Sequence, residues 1–318
     1  MPPSMPTPSM RIPIETLAQA PFSQFGTVIE NPAQSAGARS PSPSSSATAL
    51  PANQGSALKY LDVTHLSNLY TLAPSQKPSR ATMNMFVCAP RNLRAHEPSA
   101  SMPSSWGDID IDEDEDEDSS LHKQLFDVRI LERHPFTTQT FIPMGLAQAE
   151  RHTQYLVIVA PTLPASASRR RTGRPPPYPT PKVTRLRSIT DIFARARPSP
   201  FTNEAAPPPN QMERLHPSAR PKGPGLPDLK NLRAFIATGN QAVTYGAGTW
   251  HAPMVVIGDR PIEFVVVQFA NGVGAEDCQE IELKPDSKAE EGLVVTVESD
   301  VSGRVQVKAG VGSIKAKL

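Results

Sequence analysis

The sequence predicts an all-β protein, an antiparallel sandwich or barrel, and three observations predict it. Short apolar or alternating runs recur between Gly, Pro and Asn punctuation, which is how strands and their turns read. Helical periodicity is almost absent. No Gly-rich phosphate loop follows a strand, which removes the usual α/β nucleotide enzymes.

Taken in order, residues 1–10 are a Pro/Ser/Met stretch expected to be a disordered tail. Arg11-Ile12-Pro13-Ile14 and the text from Ala20 to Ile29 read as strand, short helix or turn, then strand. Residues 33–56 are Ser/Ala/Pro low complexity, expected to stay disordered because they bury too little apolar surface to offset chain entropy. Ordered text resumes at Leu58–Asp62, and Met83 to Cys88 is an apolar run expected as a buried strand. Residues 96–120 form a second interruption, with nine acidic residues between Asp108 and Asp118. That run has no Gly or bidentate Glu where a calcium loop needs them, so it reads as a solvated loop.

From Leu125 the chain is strand-like again. Leu125–Glu132, a turn at His134-Pro135, Thr138–Ile142 and Tyr155–Val159 suggest an antiparallel hairpin stack. Residues 161–224 are the largest interruption, with 15 Pro and 12 Lys/Arg against three acids, Asp191, Glu204 and Glu213. Leu232–Ala237, Thr238–Gln241 and Ala242–Tyr245 read as strand, tight turn, strand, with Gly239-Asn240 supplying the positive φ of a two-residue hairpin. Met254–Ile257 and Ile262–Phe269 add two apolar strands around the turn Gly258–Pro261. The sum is a single domain over 11–282, interrupted at 33–56, 96–120 and 161–224, with an extra C-terminal segment at 283–318.

Composition narrows the function classes. The chain has 318 residues with 36 Pro, 6% aromatics and a net charge of +1. Pro runs at about twice its usual share of roughly 5%. A balanced charge gives no general pull toward nucleic acid or membrane, and the basic stretch lacks the aromatic interleaving that stacks bases. The two cysteines, Cys88 and Cys278, the absence of an Asn-x-Ser/Thr sequon and the lack of a secretory-type N-terminus predict a soluble protein of a reducing, cytoplasmic compartment. No run approaches the roughly 18 apolar residues of a membrane span.

Glu132 and His134 stand two apart on an expected strand, so both leave on one face while Arg133 leaves on the other. A hairpin over residues 130–142 would set His134 opposite Gln139. The spacing Glu132-x-His134-x4-Gln139-x5-Gly145 resembles the first cupin motif, with Glu132 in place of its first His and Gln139 in place of its Glu. Gly248-Thr249-Trp250-His251 has the ending of the second motif, and Val255 stands where that motif has Asn. Longer runs of text carry a closer resemblance: Glu132 to Met144, Pro227 to Phe235, Tyr245 to Pro253 and Glu276-Asp277-Cys278 are similar, in order, to the ureidoglycolate lyase family, and Pro21 to Ile29 resembles its amino-terminal strand. Bacterial members often carry His at the places held here by Gly246 and Ala252, so no role for those imidazoles transfers.

That resemblance implies a cupin-like (RmlC-like) β-sandwich, a homodimer, and elimination of urea from ureidoglycolate to give glyoxylate in allantoin breakdown. The substrate is a carbinolamide, so the reaction needs a base for the hydroxyl proton and an acid for the departing ureido nitrogen. Glu132, His134 and His251 are the expected catalytic groups, and Gln139 would orient the hydroxyl or ureido group. Arg91 and Arg233 are candidates for the substrate carboxylate, and Tyr245 and Trp250 for the pocket wall. His134, His251 and Glu132 could also hold nickel, manganese or iron. Cys278, with no His near it in sequence, is not expected to be a nucleophile. A non-catalytic cupin scaffold and a metal-dependent cupin dioxygenase or isomerase are the alternatives. The terminal Ala316-Lys317-Leu318 resembles the peroxisomal Ser-Lys-Leu address.

Overall fold

The structure, a computed structural model, describes residues 3–32, 49–95, 122–147, 152–163, 225–286, 291–300 and 305–307. The acidic run at 108–118, nearly all of the basic stretch and the terminal Ala316-Lys317-Leu318 lie outside the described residues.

Among the described residues the regular structure is mostly strand, as the sequence predicts. A central sheet runs in the order Ser4–Thr7, Gln279–Pro285, Ile130–Arg133, Trp250–His251, Gln154–Ala160, Arg233–Ala237, Ile14–Thr16, with Val255–Ile257 also paired to Gln154–Ala160. A second sheet runs Gly26–Ile29, Ala242–Tyr245, Gln139–Met144, Ile262–Ala270, Arg80–Cys88. A third contains Met10–Ile12, Leu293–Ser299, His122–Asp127 and Arg94–Ala95.

Strand alternation explains how the central sheet serves two cores. Along Gln154–Ala160 every residue is buried. Tyr155, Val157 and Val159 face the second sheet, packing with Phe141, Val243, Phe264 and Val266. Leu156, Ile158 and Ala160 face the other way, toward Ile12, Leu293, Val295 and Val297. A period of two sends successive side chains to opposite faces, so a strand covered on both reads as one continuous apolar run.

Several expectations need correction. The anticipated hairpins are crossings between sheets. Ile130–Arg133 pairs in the central sheet and Gln139–Met144 in the second. Arg233–Ala237 and Ala242–Tyr245 part in the same way, as do Val255–Ile257 and Ile262–Ala270. Neither Gly239 nor Asn240 has a positive φ. Gly239 is required for closeness instead, because a Cβ there would lie 2.8 Å from the Ala147 and Leu146 carbonyl oxygens. The bend is closed by the Gln241 N–H donating to the Thr238 carbonyl at 3.0 Å.

Arg80–Cys88 is a strand, but an exposed edge strand: Met83 is 72% and Val87 65% exposed. Apolar content does not by itself decide burial. Ser4–Thr7, expected as tail, pairs in parallel with Glu282–Pro285, a contact that backbone groups alone can make. Ala49–Ala52, expected within a disordered stretch, pairs with Ala57–Tyr60. Leu293–Ser299 packs into a core, joining the segment beyond residue 282 to the fold.

Candidate active site

Register places the polar residues. Across the central sheet Glu280, Glu132, His251, Val159 and Arg233 are successive partners. Across the second sheet the corresponding row is Gly26, Tyr245, Gln139, Gln268 and Thr82. Both rows lie on the faces that meet between these sheets, because Val159, Phe141, Val243 and Val266 share those faces and belong to the core between them. The rows touch where the Tyr245 and His251 rings stack, with centroids 4.1 Å apart and planes 12° apart.

His134 enters from the crossing between the two sheets. Its carbonyl accepts the Gly248 N–H at 2.7 Å, tying it to the turn before His251. Gly248 takes φ +75 in that turn, a conformation that favours glycine. The His134 and His251 rings lie 5.7 Å apart, 27° from parallel.

Each imidazole is oriented by a backbone carbonyl. His134 Nδ1 lies 2.5 Å from the Asp277 oxygen and His251 Nδ1 lies 3.0 Å from the Thr249 oxygen. A carbonyl can only accept, so both Nδ1 atoms carry hydrogen, and in the neutral rings the lone pair sits on Nε2. Both Nε2 atoms are buried without a hydrogen-bond partner among the described residues. Glu132 Oε1 lies 3.4 Å from His251 Nε2, ion-pair contact without hydrogen-bond alignment.

Burial pushes His134 down to about 4, helped by His251 and opposed by Glu132, so its imidazole is neutral at pH 7. Burial also tends to raise Glu132, but His251, His134 and the Cys278 thiol outweigh it and hold that carboxyl below its usual range. The Cys278 thiol, 3.9 Å from Glu132 Oε2, is pushed up to about 12 by burial and then by the nearby carboxylates. It is a protonated neighbour, not a nucleophile. Tyr245 is kept a neutral phenol, chiefly by burial, and its hydroxyl lacks a partner among the described residues.

Ligand atoms of Glu132, His134 and His251 all fall within 4.8 Å of one another. Two oriented lone pairs and a carboxylate converge, so the donor set fits a divalent cation, with the Asp277 and Thr249 carbonyls in the orienting role usual behind metal-bound imidazoles. The same three acceptors equally suit a shared proton or a substrate O–H.

The other expected residues are scattered. Gln139 sits beside Tyr245, its Nε2 donating to Gln268 Oε1 at 2.8 Å and its own Oε1 buried without a partner among the described residues. Trp250 faces the opposite core; its Nε1 donates to the Gly225 carbonyl and the Arg133 guanidinium lies 4.7 Å above its ring. It therefore does not line this cluster, since it alternates with His251 along the strand. Arg233 is taken up by Glu15 and the Pro21 carbonyl. Arg91 lines a separate groove with Arg94, Arg129 and Pro253. Gln268 and Glu280 join the site unforeseen, because each is brought there by register with a strand distant in sequence, and Cys278, one residue before the strand of Glu280, comes with it.

An all-β protein with two buried, oppositely anchored imidazoles beside an ionised carboxylate has the equipment of a proton-transfer or metal-assisted enzyme. Comparison with known proteins gives the family: the ureidoglycolate lyase profile matches residues 9–290, and the chain belongs to that family. The ureidoglycolate lyase of Schizosaccharomyces pombe is 26% identical over 269 residues, 85% of this chain and 90% of the relative. That of Saccharomyces cerevisiae is 28% identical over 259 residues, 80% and 83% of the two chains. A Burkholderia mallei ureidoglycolate lyase is 21% identical over 254 residues, 80% and 79%.

Proposed function

We propose that this protein is a ureidoglycolate lyase that converts ureidoglycolate to glyoxylate and urea. The observation that carries the reading is the convergence of Glu132, His134 and His251 in a member of that family. In the reaction the substrate hydroxyl loses its proton, its oxygen closes to the aldehyde, and the C–N bond breaks with its electron pair leaving on the ureido nitrogen. That nitrogen must then be protonated.

His134, neutral with its lone pair on Nε2, can accept the hydroxyl proton and cannot be the resident acid. His251, when protonated, is the acid: Glu132 Oε1, 3.4 Å from its Nε2, balances the charge, and the proton passes to the leaving nitrogen. The two histidines exchange protonation in one turnover and Glu132 stabilises whichever cation is beside it. Gln139, whose buried Oε1 has no partner among the described residues, accepts a ureido N–H, and Gln268 fixes the amide that does so. Tyr245 walls the pocket and offers a phenolic donor. A divalent metal, nickel, manganese or iron, would be held by Glu132, His134 and His251 and would polarise the substrate oxygen.

The catalytic unit is proposed as one cupin-like domain that includes the strands on either side of residues 11–282. It is proposed to be a homodimer; the exposed apolar edge strand Arg80–Cys88, unpaired on one side among the described residues, supports this. Among the described residues no helix is long and apolar enough to cross a membrane. A cytoplasmic location is proposed, with peroxisomal import through Ala316-Lys317-Leu318 as the alternative; an amino-terminally tagged chain should give diffuse fluorescence with and without these three residues, and a punctate signal that needs them would favour the alternative.

The direct test is incubation of purified protein with ureidoglycolate and detection of urea and glyoxylate in equal amounts. Metal-dependent oxidation or isomerisation would release neither pair. A protein that binds ureidoglycolate and leaves it intact would be a scaffold.

A further inference from the structure

We infer that Tyr70, which lies outside the pocket, is a positioning residue that fixes the aim of His134; the inference rests on the catalytic reading of that histidine. The anchor of His134 is the Asp277 carbonyl, 2.5 Å from Nδ1. Asp277 ends the short helical turn Gly274–Asp277, and its carboxylate is held from three directions. Oδ1 accepts the Tyr70 hydroxyl at 2.6 Å and the Asn271 N–H at 2.8 Å, while Oδ2 accepts the Gly272 N–H at 2.8 Å.

Two of those donors belong to the loop that Asp277 itself closes, and only Tyr70 comes from elsewhere in the chain. Tyr70 also reaches the other partner of the contact. Its ring packs against Phe136, 5.9 Å between centroids, and the adjacent Leu69 N–H donates to the Phe136 carbonyl at 2.7 Å. Phe136 is two residues from His134. One side chain thus grips the segment carrying the imidazole with its ring and the residue carrying the imidazole's acceptor with its hydroxyl.

The consequence is chemical as well as mechanical. The Asp277 carbonyl keeps hydrogen on Nδ1, so it decides that the lone pair of His134 is on Nε2, facing Glu132 and His251. A shift of Asp277 loosens this choice of tautomer and tilts the ring. Glu276, the neighbour of Asp277, shows that the turn is otherwise secured. Its carboxylate accepts from Ser75 N at 2.7 Å, Ser75 Oγ at 2.6 Å and Asn271 Nδ2 at 2.8 Å. The turn therefore stays folded when the Tyr70 hydroxyl is removed, and what changes is the last link to His134.

Tyr70→Phe keeps the ring on Phe136 and deletes the hydroxyl, with its hydrogen bond to Asp277 at 2.6 Å and its longer contact with the Phe269 carbonyl at 3.2 Å. In full-length enzyme labelled with 15N-histidine, the His134 ring in the unmodified protein should report the Nδ1–H tautomer alone, and in Tyr70→Phe a mixture of both. Turnover kcat should fall roughly three- to tenfold, the effect of one hydrogen bond, with KM changed less than about twofold. Thr64→Ala is the control: it releases the same stretch of chain from Thr244, at 2.8 Å, without touching Asp277, and should alter neither readout. An unchanged tautomer and kcat in Tyr70→Phe, or equal changes in Thr64→Ala, would overturn the inference. His134→Ala separates this from the underlying reading: near-normal turnover in that variant removes His134 from catalysis, while the nitrogen spectrum of Tyr70→Phe still decides the positioning.

Discussion

Glu132→Gln preserves the shape of the side chain at the centre of the site and removes its charge. Glu132 Oε1 stands 3.4 Å from His251 Nε2, and the Glu132 side chain retains 21% of its exposure. When His251 is protonated, the charge pair at that separation is worth about 5 kcal/mol at an effective dielectric near 20, before desolvation is counted. General acid–base catalysis supplies about 10²–10⁴ in rate, or about 2.7–5.4 kcal/mol. The pair is thus of the right size to carry one proton transfer. Because the amide keeps a dipole and water takes up part of the lost field, kcat should fall by roughly 10²–10³. Glu132→Asp, which keeps the charge and withdraws it, should fall between the two. Initial rates of glyoxylate release at saturating ureidoglycolate measure this, with metal content determined on each preparation. If metal is retained at equal stoichiometry and the rate drops, the loss belongs to proton chemistry; if metal leaves with the charge, it belongs to coordination. A Gln variant within about tenfold of the unaltered enzyme would refute the assignment of Glu132 to either role.

Two further outcomes follow from other parts of the structure. Burial tends to raise Glu276, but hydrogen bonds from Ser75 and Asn271 outweigh it and hold the carboxyl below its usual range. A folded-state value below the unfolded one gives stability that is complete above about pH 4.3 and is lost as pH falls through the folded value. Glu276→Gln should therefore lower stability by about 1–3 kcal/mol at pH 7, with the gap in Tm closing in acid; a gap independent of pH would refute the charge argument. Met85 is 53% exposed on the edge strand Arg80–Cys88. If that strand forms the homodimer, Met85→Asp should yield monomer by light scattering at an unchanged Tm of the isolated fold, and a dimer of undiminished affinity would place the interface elsewhere.

That Glu132, His134 and His251 come together is legible in the sequence because the two halves of the trio are local patterns. Glu132 and His134 stand two apart where the strand Ile130–Arg133 ends, and His251 follows a glycine turn. The expected hairpins do not form, for a physical reason. His134-Pro135 and Thr238–Gln241 mark where the chain bends, but a bend does not say whether the next strand pairs with the last or crosses to another sheet. Long-range hydrophobic pairing decides that: Phe141 and Val243 go to the core facing Phe264, whereas Leu131 and Ile236 remain in the core facing Val295. The same non-local choice hid Gln268, which meets Gln139 across 129 positions of sequence, and Tyr70, which meets Asp277 across 207. It also displaced Trp250 from the pocket, since one step along a strand reverses the face.

How so long a stretch as 164–224 can stand inside one fold is answered at its two ends. Thr162 bridges Pro227, and the Leu163 N–H donates to the Leu226 carbonyl at 2.8 Å, so the chain leaves and returns at a single point. Side chains from the face opposite the site reinforce that point: Trp250 donates to the Gly225 carbonyl and Arg133 Nη1 approaches Thr162 Oγ1 at 3.5 Å. Closing a chain depends only logarithmically on its length, so shortening the closure from roughly sixty residues to roughly four gains about 2.4 kcal/mol. Replacing 164–224 with a short Gly/Ser linker should therefore leave kcat within about twofold and raise stability by no more than that amount. Because Trp250 shares its strand with His251 and faces the other way, a clamp that depended on the removed residues would betray itself in turnover. A drop of more than about tenfold, with the protein still folded, would show that the stretch acts on the site through that strand and that the division between catalytic face and anchoring face is wrong.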